Sequence, residues 1–164
     1  MLTQIISGGQ TGADQAGLDT AIRLGIPHGG WIPKGRRTEA GPLPECYHLR
    51  EMDTTGYPRR TEQNILDADA TLIVSHGRLT GGSKLTAALA RKHGRPSLHL
   101  NLKSISRAAA GRRLAVWLAE NNVRILNVAG PRASEDPRIY AAVVQLLESV
   151  LDTGKKATES GTDR

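Results

Sequence analysis

Cysteine, aromatic residues and long apolar runs are all scarce in this chain of 164 residues. Cys46 is the single cysteine, so an intramolecular disulfide is impossible and a cysteine-rich metal site is excluded. Aromatic residues make up 3% of the sequence, which leaves no stacking platform of the kind that single-strand nucleic-acid binders use. No run of about 18 apolar residues occurs, and the N-terminus lacks the basic-then-apolar plan of a signal peptide. We therefore expect a soluble, cytoplasmic protein with no membrane partner.

The basic residues are spread over loops instead of forming one basic run. The formal net charge is +6, and a basic face is typical of nucleic-acid binders. Here, however, many cations stand in or beside glycine- or proline-marked loops, where they can surround one small anion. These cations are Lys34, Arg36, Arg37, Arg59, Arg60, Arg78, Lys84 and Arg132. Their placement favours a small anionic ligand over nucleic acid.

Apolar runs alternate with amphipathic segments along most of the chain. This alternation predicts βαβ units and an α/β, Rossmann-like three-layer sandwich, with a mainly parallel sheet and helices on both faces. We expect one ligand-binding domain over 1–151 and, because large apolar groups are missing there, a disordered tail over 152–164. The predicted strands are 2–7, 71–75, 97–102 and 125–128, with a weaker one at 47–52. The predicted helices are 14–24, 84–93, 106–121 and 137–151, and a further helix between the first two is predicted to be capped by Thr61.

Three glycine-rich turns follow predicted strands. Unpaired N–H groups and the helix dipole make a strand–glycine turn–helix junction suitable for an anion. Ligands of such sheets lie beyond the carboxyl ends of the strands, so the three turns can share one phosphorylated ligand. The candidate residues are Gly8, Gly9, Gln10, Thr11, Gly12, Ala13 and Asp14 in the first turn, Gly81, Gly82, Ser83 and the following Thr86 in the second, and Gly130 with Arg132 in the third.

The first turn differs from the two best-known nucleotide loops. It has Gly-Gly-x-x-Gly instead of Gly-x-Gly-x-x-Gly, and no acidic residue ends a second strand about twenty residues later to hold a ribose. It also lacks the Gly-Lys-Ser/Thr ending of a Walker A loop. Gln10 and Asp14 have side chains that can read the polar edge of a heterocycle, although Asp14 can equally cap the first helix.

A second group of candidates lies in the glycine- and proline-rich segment 27–44. Lys34, Gly35, Arg36 and Arg37 form a loop that either closes over an anion or stays solvated. Trp31 either stacks on a planar ring or anchors this loop to the core.

A catalytic set is harder to find. The five histidines have no metal-ligand spacing, so no protein-ligated metal is predicted. Ser75 and His76 are adjacent on a strand and point in opposite directions, which excludes them as a nucleophile–base dyad. Glu62 is the carboxylate nearest the predicted cleft. The residues therefore favour binding over catalysis.

Four ordered motifs carry a family resemblance. They are Ile-Ser-Gly-Gly-Gln-Thr-Gly-Ala-Asp at 6–14, Gly-Gly-Trp-Ile-Pro-Lys-Gly-Arg-Arg at 29–37, Arg-Thr-Glu-Gln-Asn at 60–64 and Leu-Asn-Val-Ala-Gly-Pro-Arg at 126–132. With them the chain resembles the molybdenum (cofactor) carrier family over about residues 4–150. This family is part of a wider Rossmann-like group that includes the lysine-decarboxylase-like (LOG) phosphoribohydrolases and nucleotide-sensing proteins.

The resemblance implies a phosphorylated heterocycle as ligand. The carrier proteins are thought to hold molybdenum cofactor (molybdopterin), a pterin dithiolene with a terminal phosphate, to form homo-oligomers and to supply molybdoenzymes. Carried over to this sequence, the implied contacts are Gly8 to Asp14, Lys34 to Arg37, Thr61, Asn64, Gly81 to Ser83 and Arg132.

Two departures from the wider group bear on activity. Glu39-Ala40 stands where an acidic pair is expected. This sequence therefore gives no support for a role of the second carboxylate. The hydrolases have Pro-Gly-Gly-x-Gly-Thr-x-x-Glu, whereas no glutamate follows the glycines in the run Thr80 to Leu89. We therefore predict a carrier. The alternatives are a nucleoside-monophosphate phosphoribohydrolase, which would depend on Glu62, and a nucleotide-sensing module.

Overall fold

A computed structural model describes residues 1–153 of the chain. Its elements are nine strands and five helices within this part of the chain. The strands are β1 (Gln4–Ile6), β2 (His28–Gly29), β3 (Trp31–Ile32), β4 (Arg37–Thr38), β5 (Gly41–Pro42), β6 (Arg50–Glu51), β7 (Ala70–Ser75), β8 (Ser97–Asn101) and β9 (Ile125–Ala129). The helices are α1 (Ala13–Leu24), α2 (Tyr57–Asp67), α3 (Gly81–Lys92), α4 (Arg107–Glu120) and α5 (Ile139–Leu151).

The centre of the fold is a five-stranded parallel sheet in the order β2-β1-β9-β7-β8. Helices α1, α5 and α4 pack together in one layer, and α2 packs against α3 in the other. The chain leaves β1 toward one edge of the sheet and leaves β7 toward the opposite edge, so the strand order reverses in the middle of the sheet. The predicted α/β, Rossmann-like architecture is confirmed.

The core lies on both faces of β7 and β9. Every residue of β7 is buried, because helices cover both sides of this strand. Several predicted boundaries also agree with the structure for local reasons. Gly25 ends α1 with φ 69° and returns its N–H to the carbonyls of the last turn, and Ser106 caps α4 by accepting the Ala109 N–H at 3.1 Å.

Helix α2 starts five residues earlier than predicted. Its N-cap is Gly56, and Pro58 in the first turn has the φ angle that a helix start requires. The expectation that Thr61 caps this helix is therefore wrong, since the Thr61 hydroxyl instead donates to the Tyr57 carbonyl at 3.1 Å inside the helix. Helix α3 likewise begins at Gly81, three residues before the predicted start.

The segment between α1 and α2 contains two small sheets. Strands β3 and β6 pair in parallel, and β4 and β5 form an antiparallel hairpin. The predicted strand 47–52 is reduced to Arg50–Glu51. Strand β8 lies at the edge of the main sheet, and its His99 is exposed. From residue 154 onward, the predicted tail lies outside the described residues.

Within the described part of the chain, none of the helices is long and apolar enough to cross a bilayer.

Candidate functional site

A cavity of about 80 Å³, here called the first cavity, lies at the carboxyl edge of the sheet where the three glycine turns meet. Its walls come from the loops after β1 and β9 and from the facing ends of α2 and α3. The predicted residues that line it are Gly8, Gln10, Asp14, Thr61, Asn64, Gly82, Ser83, Thr86, Gly130 and Arg132. The predicted residues that do not line it are Gly9, Thr11, Gly12, Ala13, Lys34, Gly35, Arg36, Arg37 and Gly81.

Close backbone packing brings the first and third turns together. Gly12 has φ 81°, and a Cβ atom at this position would lie 2.5 Å from the Pro131 carbonyl oxygen. A Cβ at Gly130 would lie 2.4 Å from the Val74 carbonyl oxygen in β7 and 2.7 Å from the Ala13 Cβ. The Ala13 N–H donates to the same Pro131 oxygen at 3.2 Å. The two glycines thus allow the loops to touch, and Gly12 acts in packing instead of facing the cavity.

A buried ion pair forms one wall of the first cavity. Arg60 Nη1 lies 3.1 Å from Asp14 Oδ2, and both side chains are at most 10% exposed. The Gln10 N–H also donates to Asp14 Oδ2, at 3.2 Å. Desolvation raises the pKa of Asp14, and the Arg60 guanidinium and the Gln10 N–H act against that rise. Asp14 does not cap α1, whose N-cap is Gly12.

Two buried donors in this wall have no partner among residues 1–153. They are Gln10 Nε2 and Arg60 Nε. The Gln10 amide cannot simply be reversed, because its Oε1 accepts the Thr11 N–H at 3.0 Å and the Glu39 N–H at 2.9 Å. A buried donor without an acceptor costs about 1–3 kcal/mol, so each indicates that an acceptor belongs at this position.

Tyr57 is a site residue that the sequence analysis missed. It lines the first cavity, and three guanidinium carbons lie near its ring centroid, at 4.9 Å for Arg37, 5.3 Å for Arg60 and 5.4 Å for Arg132. The ring face attracts these cations and collects them at the rim of the cavity. The signal that could have revealed Tyr57 is the Tyr-Pro pair after Gly56, which marks the first turn of α2.

The loop at 34–37 is held by its own hydrogen bonds. Arg36 donates to the carbonyls of Leu43, Pro44 and Tyr47 at 2.8–3.0 Å. The Gly35 N–H donates to a Glu51 carboxylate oxygen at 2.8 Å. Arg36 therefore neither faces the cavity nor stays solvated, and Lys34 is exposed. Of this group, Arg37 alone comes near the cavity, through its contact with Tyr57.

Asn64 and Trp31 join α2 to strand β3. Asn64 Oδ1 accepts the Trp31 N–H at 2.8 Å, and Asn64 Nδ2 donates to the Trp31 carbonyl at 3.1 Å. The indole Nε1 donates to Asp67 at 2.7 Å. These bonds match the interpretation of Trp31 as an anchor, and they assign Asn64 a positioning role at the cavity wall.

Three other residues from the sequence analysis do not line the first cavity. Glu62 does not line it, and its Oε2 lies 3.6 Å from His93 Nε2. Ser75 and His76 contact different partners. The Ser75 hydroxyl lies 2.6 Å from the Gly77 carbonyl oxygen and 2.7 Å from His99 Nε2.

Glu39 fastens the β4–β5 hairpin to both the first and the third turn. Its carboxylate accepts the Thr11 hydroxyl, the Ser134 N–H at 3.1 Å and the Ser134 hydroxyl at 2.5 Å. Partial desolvation acts to raise the pKa of Glu39, but the hydrogen bonds from Ser134 and Thr11 outweigh it, and the net effect is a lowered pKa.

We expect Glu39→Gln to loosen this hairpin. A lowered folded-state pKa means that the ionised carboxylate stabilises the docked hairpin above its unfolded pKa, and that this contribution is lost as the pH falls through the folded value. After correction for intrinsic exchange rates, hydrogen exchange of residues 38–42 in the wild type should therefore accelerate on acidification. In Glu39→Gln the exchange of these residues should be fast at every pH. Glu45→Gln, on a fully exposed side chain of the same segment, is the control. Unchanged protection in Glu39→Gln would contradict this role.

The fold and the site together define a class of protein. A parallel sheet with glycine turns and cations gathered at its carboxyl edge is typical of Rossmann-like ligand-binding proteins. Residues 5–151 match the model of the circularly permutated YpsA SLOG family, and the chain belongs to this family.

A solved structure carries the comparison further. The chain is similar to a protein from Syntrophus aciditrophicus SB named "Putative molybdenum carrier protein". The two sequences are 53% identical, the match covers 92% of this chain and 95% of the other, and the TM-score is 0.91. A comparison with curated proteins finds no match. The resemblance to the molybdenum carrier family is thus confirmed.

Proposed function

We propose that this protein is a carrier that binds molybdenum cofactor (molybdopterin), or a closely similar phosphorylated pterin or nucleotide, with the phosphate in the first cavity. The observation that carries this proposal is the pair of buried donors without partners, Gln10 Nε2 and Arg60 Nε. Phosphate oxygens accept several hydrogen bonds at once and would satisfy both. The name of the relative from Syntrophus aciditrophicus supports molybdenum as the cargo.

The charges around the cavity also suit a phosphate. Arg132 lines the cavity with its side chain one-third exposed, so it can meet the outer phosphate oxygens. Ser83 and Gly82 belong to the first turn of α3, where N–H groups have no partner inside the helix. An anion held between these groups would be bound from the sheet side and from the helix side.

The molybdenum would arrive as part of the ligand. No group of three or more His, Cys, Asp or Glu side chains within residues 1–153 is arranged to hold a metal ion. In this proposal the dithiolene of the pterin keeps the metal, and the protein binds the phosphate and the ring. A homo-oligomeric state, molybdoenzymes as acceptors and a cytoplasmic location remain predictions.

Gln10→Glu is the sharpest test of the first cavity. The substitution keeps the oxygen that accepts from Thr11 and Glu39, but it replaces the Nε2 donor with a second, charged acceptor that repels phosphate. The protein is expressed and purified under anaerobic conditions from cells that make the cofactor. Retained pterin is measured by native mass spectrometry and by fluorescence. We expect the wild type to retain pterin and protect it from oxidation, and Gln10→Glu to retain at least about tenfold less.

The matched control is Gln145→Glu, which makes the same charge change on an exposed position of α5. It should retain as much pterin as the wild type. If the wild-type protein holds no pterin and gives no protection from oxidation, the carrier proposal is wrong.

A further inference from the structure

A second cavity of about 320 Å³ adjoins the first. Ser83, Pro131 and Glu135 line both cavities and form their common wall. Small-molecule sites commonly have volumes of about 300–1,000 Å³, so the first cavity, at about 80 Å³, is small for more than an anionic group. A larger ligand whose phosphate lies in the first cavity needs further space, and the second cavity offers it across the shared wall.

The acidic groups of the second cavity are already paired. Asp136 Oδ2 lies 2.6 Å from His76 Nδ1, and Asp136 Oδ1 accepts the Arg138 N–H at 3.0 Å. Partial burial acts to raise the pKa of Asp136, but the contacts with His76 and Arg138 outweigh it and lower that pKa, so Asp136 is ionised and held in place. Glu135 lies 3.5 Å from Arg132 Nε.

Two cations of the second cavity have no such partner. Arg78, in the loop after β7, and Lys103, after β8, both line the cavity. Within residues 1–153 neither forms an ion pair. Thr80, which also lines the cavity, makes no side-chain cap to α3. Arg78 and Lys103 are exposed, unpaired positive charges, and they line the same cavity as a hydroxyl group that can donate a hydrogen bond.

His76 adds a group whose orientation is fixed. Because Asp136 holds Nδ1, the ring turns its Nε2 edge away from that carboxylate. This atom has no hydrogen-bond partner in the described part of the chain. In the imidazolium form of histidine both ring nitrogens are donors, and an Nε2–H in this position suits an anion. The second cavity thus combines Arg78, Lys103, Thr80 and His76 around one space.

We propose that the second cavity binds a second anionic group of the same ligand whose phosphate occupies the first cavity. The ligand class is a heterocyclic compound that carries a phosphate and a second anionic group, and one molecule spans both cavities. This inference rests on the proposed function, since the ligand is placed by its phosphate. A cofactor that carries both a phosphate and an anionic molybdenum–dithiolene group belongs to this class.

Inorganic phosphate tests the two subsites separately. In isothermal titration calorimetry the wild type should bind two phosphate ions per chain. Arg78→Ala/Lys103→Ala should remove one of them and Gln10→Glu the other. The charge-matched control Arg112→Ala/Arg113→Ala, on exposed positions of α4, should keep both. A single phosphate that only Gln10→Glu removes would overturn the second subsite and leave the proposed function intact. A single phosphate that only the Arg78 and Lys103 pair removes would overturn the proposed function.

Two guanosine nucleotides test whether one ligand spans both cavities. Guanosine 3′,5′-bisphosphate should bind the wild type about tenfold or more tightly than guanosine 5′-monophosphate, because it gains charge-assisted hydrogen bonds. The double variant should lose this advantage and bind the monophosphate as the wild type does. Equal affinity of the wild type for both nucleotides, or no binding of either, would overturn the spanning ligand.

Discussion

Arg60→Met is expected to abolish retention of the phosphorylated ligand and to lower the free energy of unfolding by about 3–5 kcal/mol at neutral pH. Methionine fills much of the space of the arginine stem but supplies neither the charge nor the Nε donor. It leaves the buried Asp14 carboxylate with the Gln10 N–H but without its cation. The measurements are pterin content of the purified protein and chemical denaturation monitored by circular dichroism.

The pH dependence of the stability loss in Arg60→Met tests whether the buried Asp14 carboxylate causes that loss. Burial already raises the folded-state pKa of Asp14, and removal of Arg60 raises it further. A carboxyl group with a raised folded pKa contributes stability fully below its unfolded pKa, and that contribution is lost as the pH rises through the folded pKa. The deficit of Arg60→Met relative to the wild type should therefore be largest at neutral pH and shrink on acidification.

Two further variants separate stability from binding. Asp14→Asn/Arg60→Met replaces the ion pair by neutral groups of similar shape and should recover most of the lost stability without recovering the ligand. Arg59→Met changes the exposed neighbouring arginine and should leave both properties unchanged. A stability deficit that does not depend on pH, or full retention of pterin in Arg60→Met, would contradict the role assigned to the pair.

Elements whose signals are local were predictable from the sequence. Helix α1 was predicted over 14–24 and observed over Ala13–Leu24, because its apolar periodicity and the terminal glycine lie within one segment. The strand predicted at 71–75 is β7, a continuous apolar run that is typical of a strand buried on both faces. The meeting of the three glycine turns also followed from sequence, since the carboxyl ends of parallel strands share one edge.

The missing part of the site depends on contacts between distant segments. Arginine is rarely buried, so no local pattern predicts that Arg60 lies against Asp14, which is 46 positions away in the sequence. Composition also could not tell which cations serve the fold. Arg36 closes its own loop, whereas Arg37 reaches Tyr57 from a different element. Glycine at position 12 suggested contact with a ligand, but its neighbour is the Pro131 carbonyl.

Gly12→Ala is the second substitution for which we expect a large effect, because Gly12 combines two constraints. Its φ of 81° is a left-handed conformation that disfavours a side chain, and the added Cβ would lie 2.5 Å from the Pro131 oxygen. A shift of the Pro131 backbone away from the added Cβ would lengthen the hydrogen bond from the Ala13 N–H that joins the first turn to the third. We expect a loss of about 2–5 kcal/mol in unfolding free energy and a fall of about tenfold in pterin retention.

Gly25→Ala separates the two constraints at Gly12. Gly25 has φ 69°, but a Cβ there would meet nothing within 4 Å. This control variant should lose only about 1–2 kcal/mol, the cost of the backbone conformation, and should retain the ligand like the wild type. The additional loss of unfolding free energy in Gly12→Ala then measures the contact between the two turns. Gly130 and Arg132 line the first cavity from the same loop as Pro131. A variant that disturbs this contact should therefore also lose pterin. If the two variants lost equal unfolding free energy, the Pro131 backbone would accommodate the added Cβ without cost. The contact at Gly12 would then not be what holds the first and third turns, and the cavity between them, in shape.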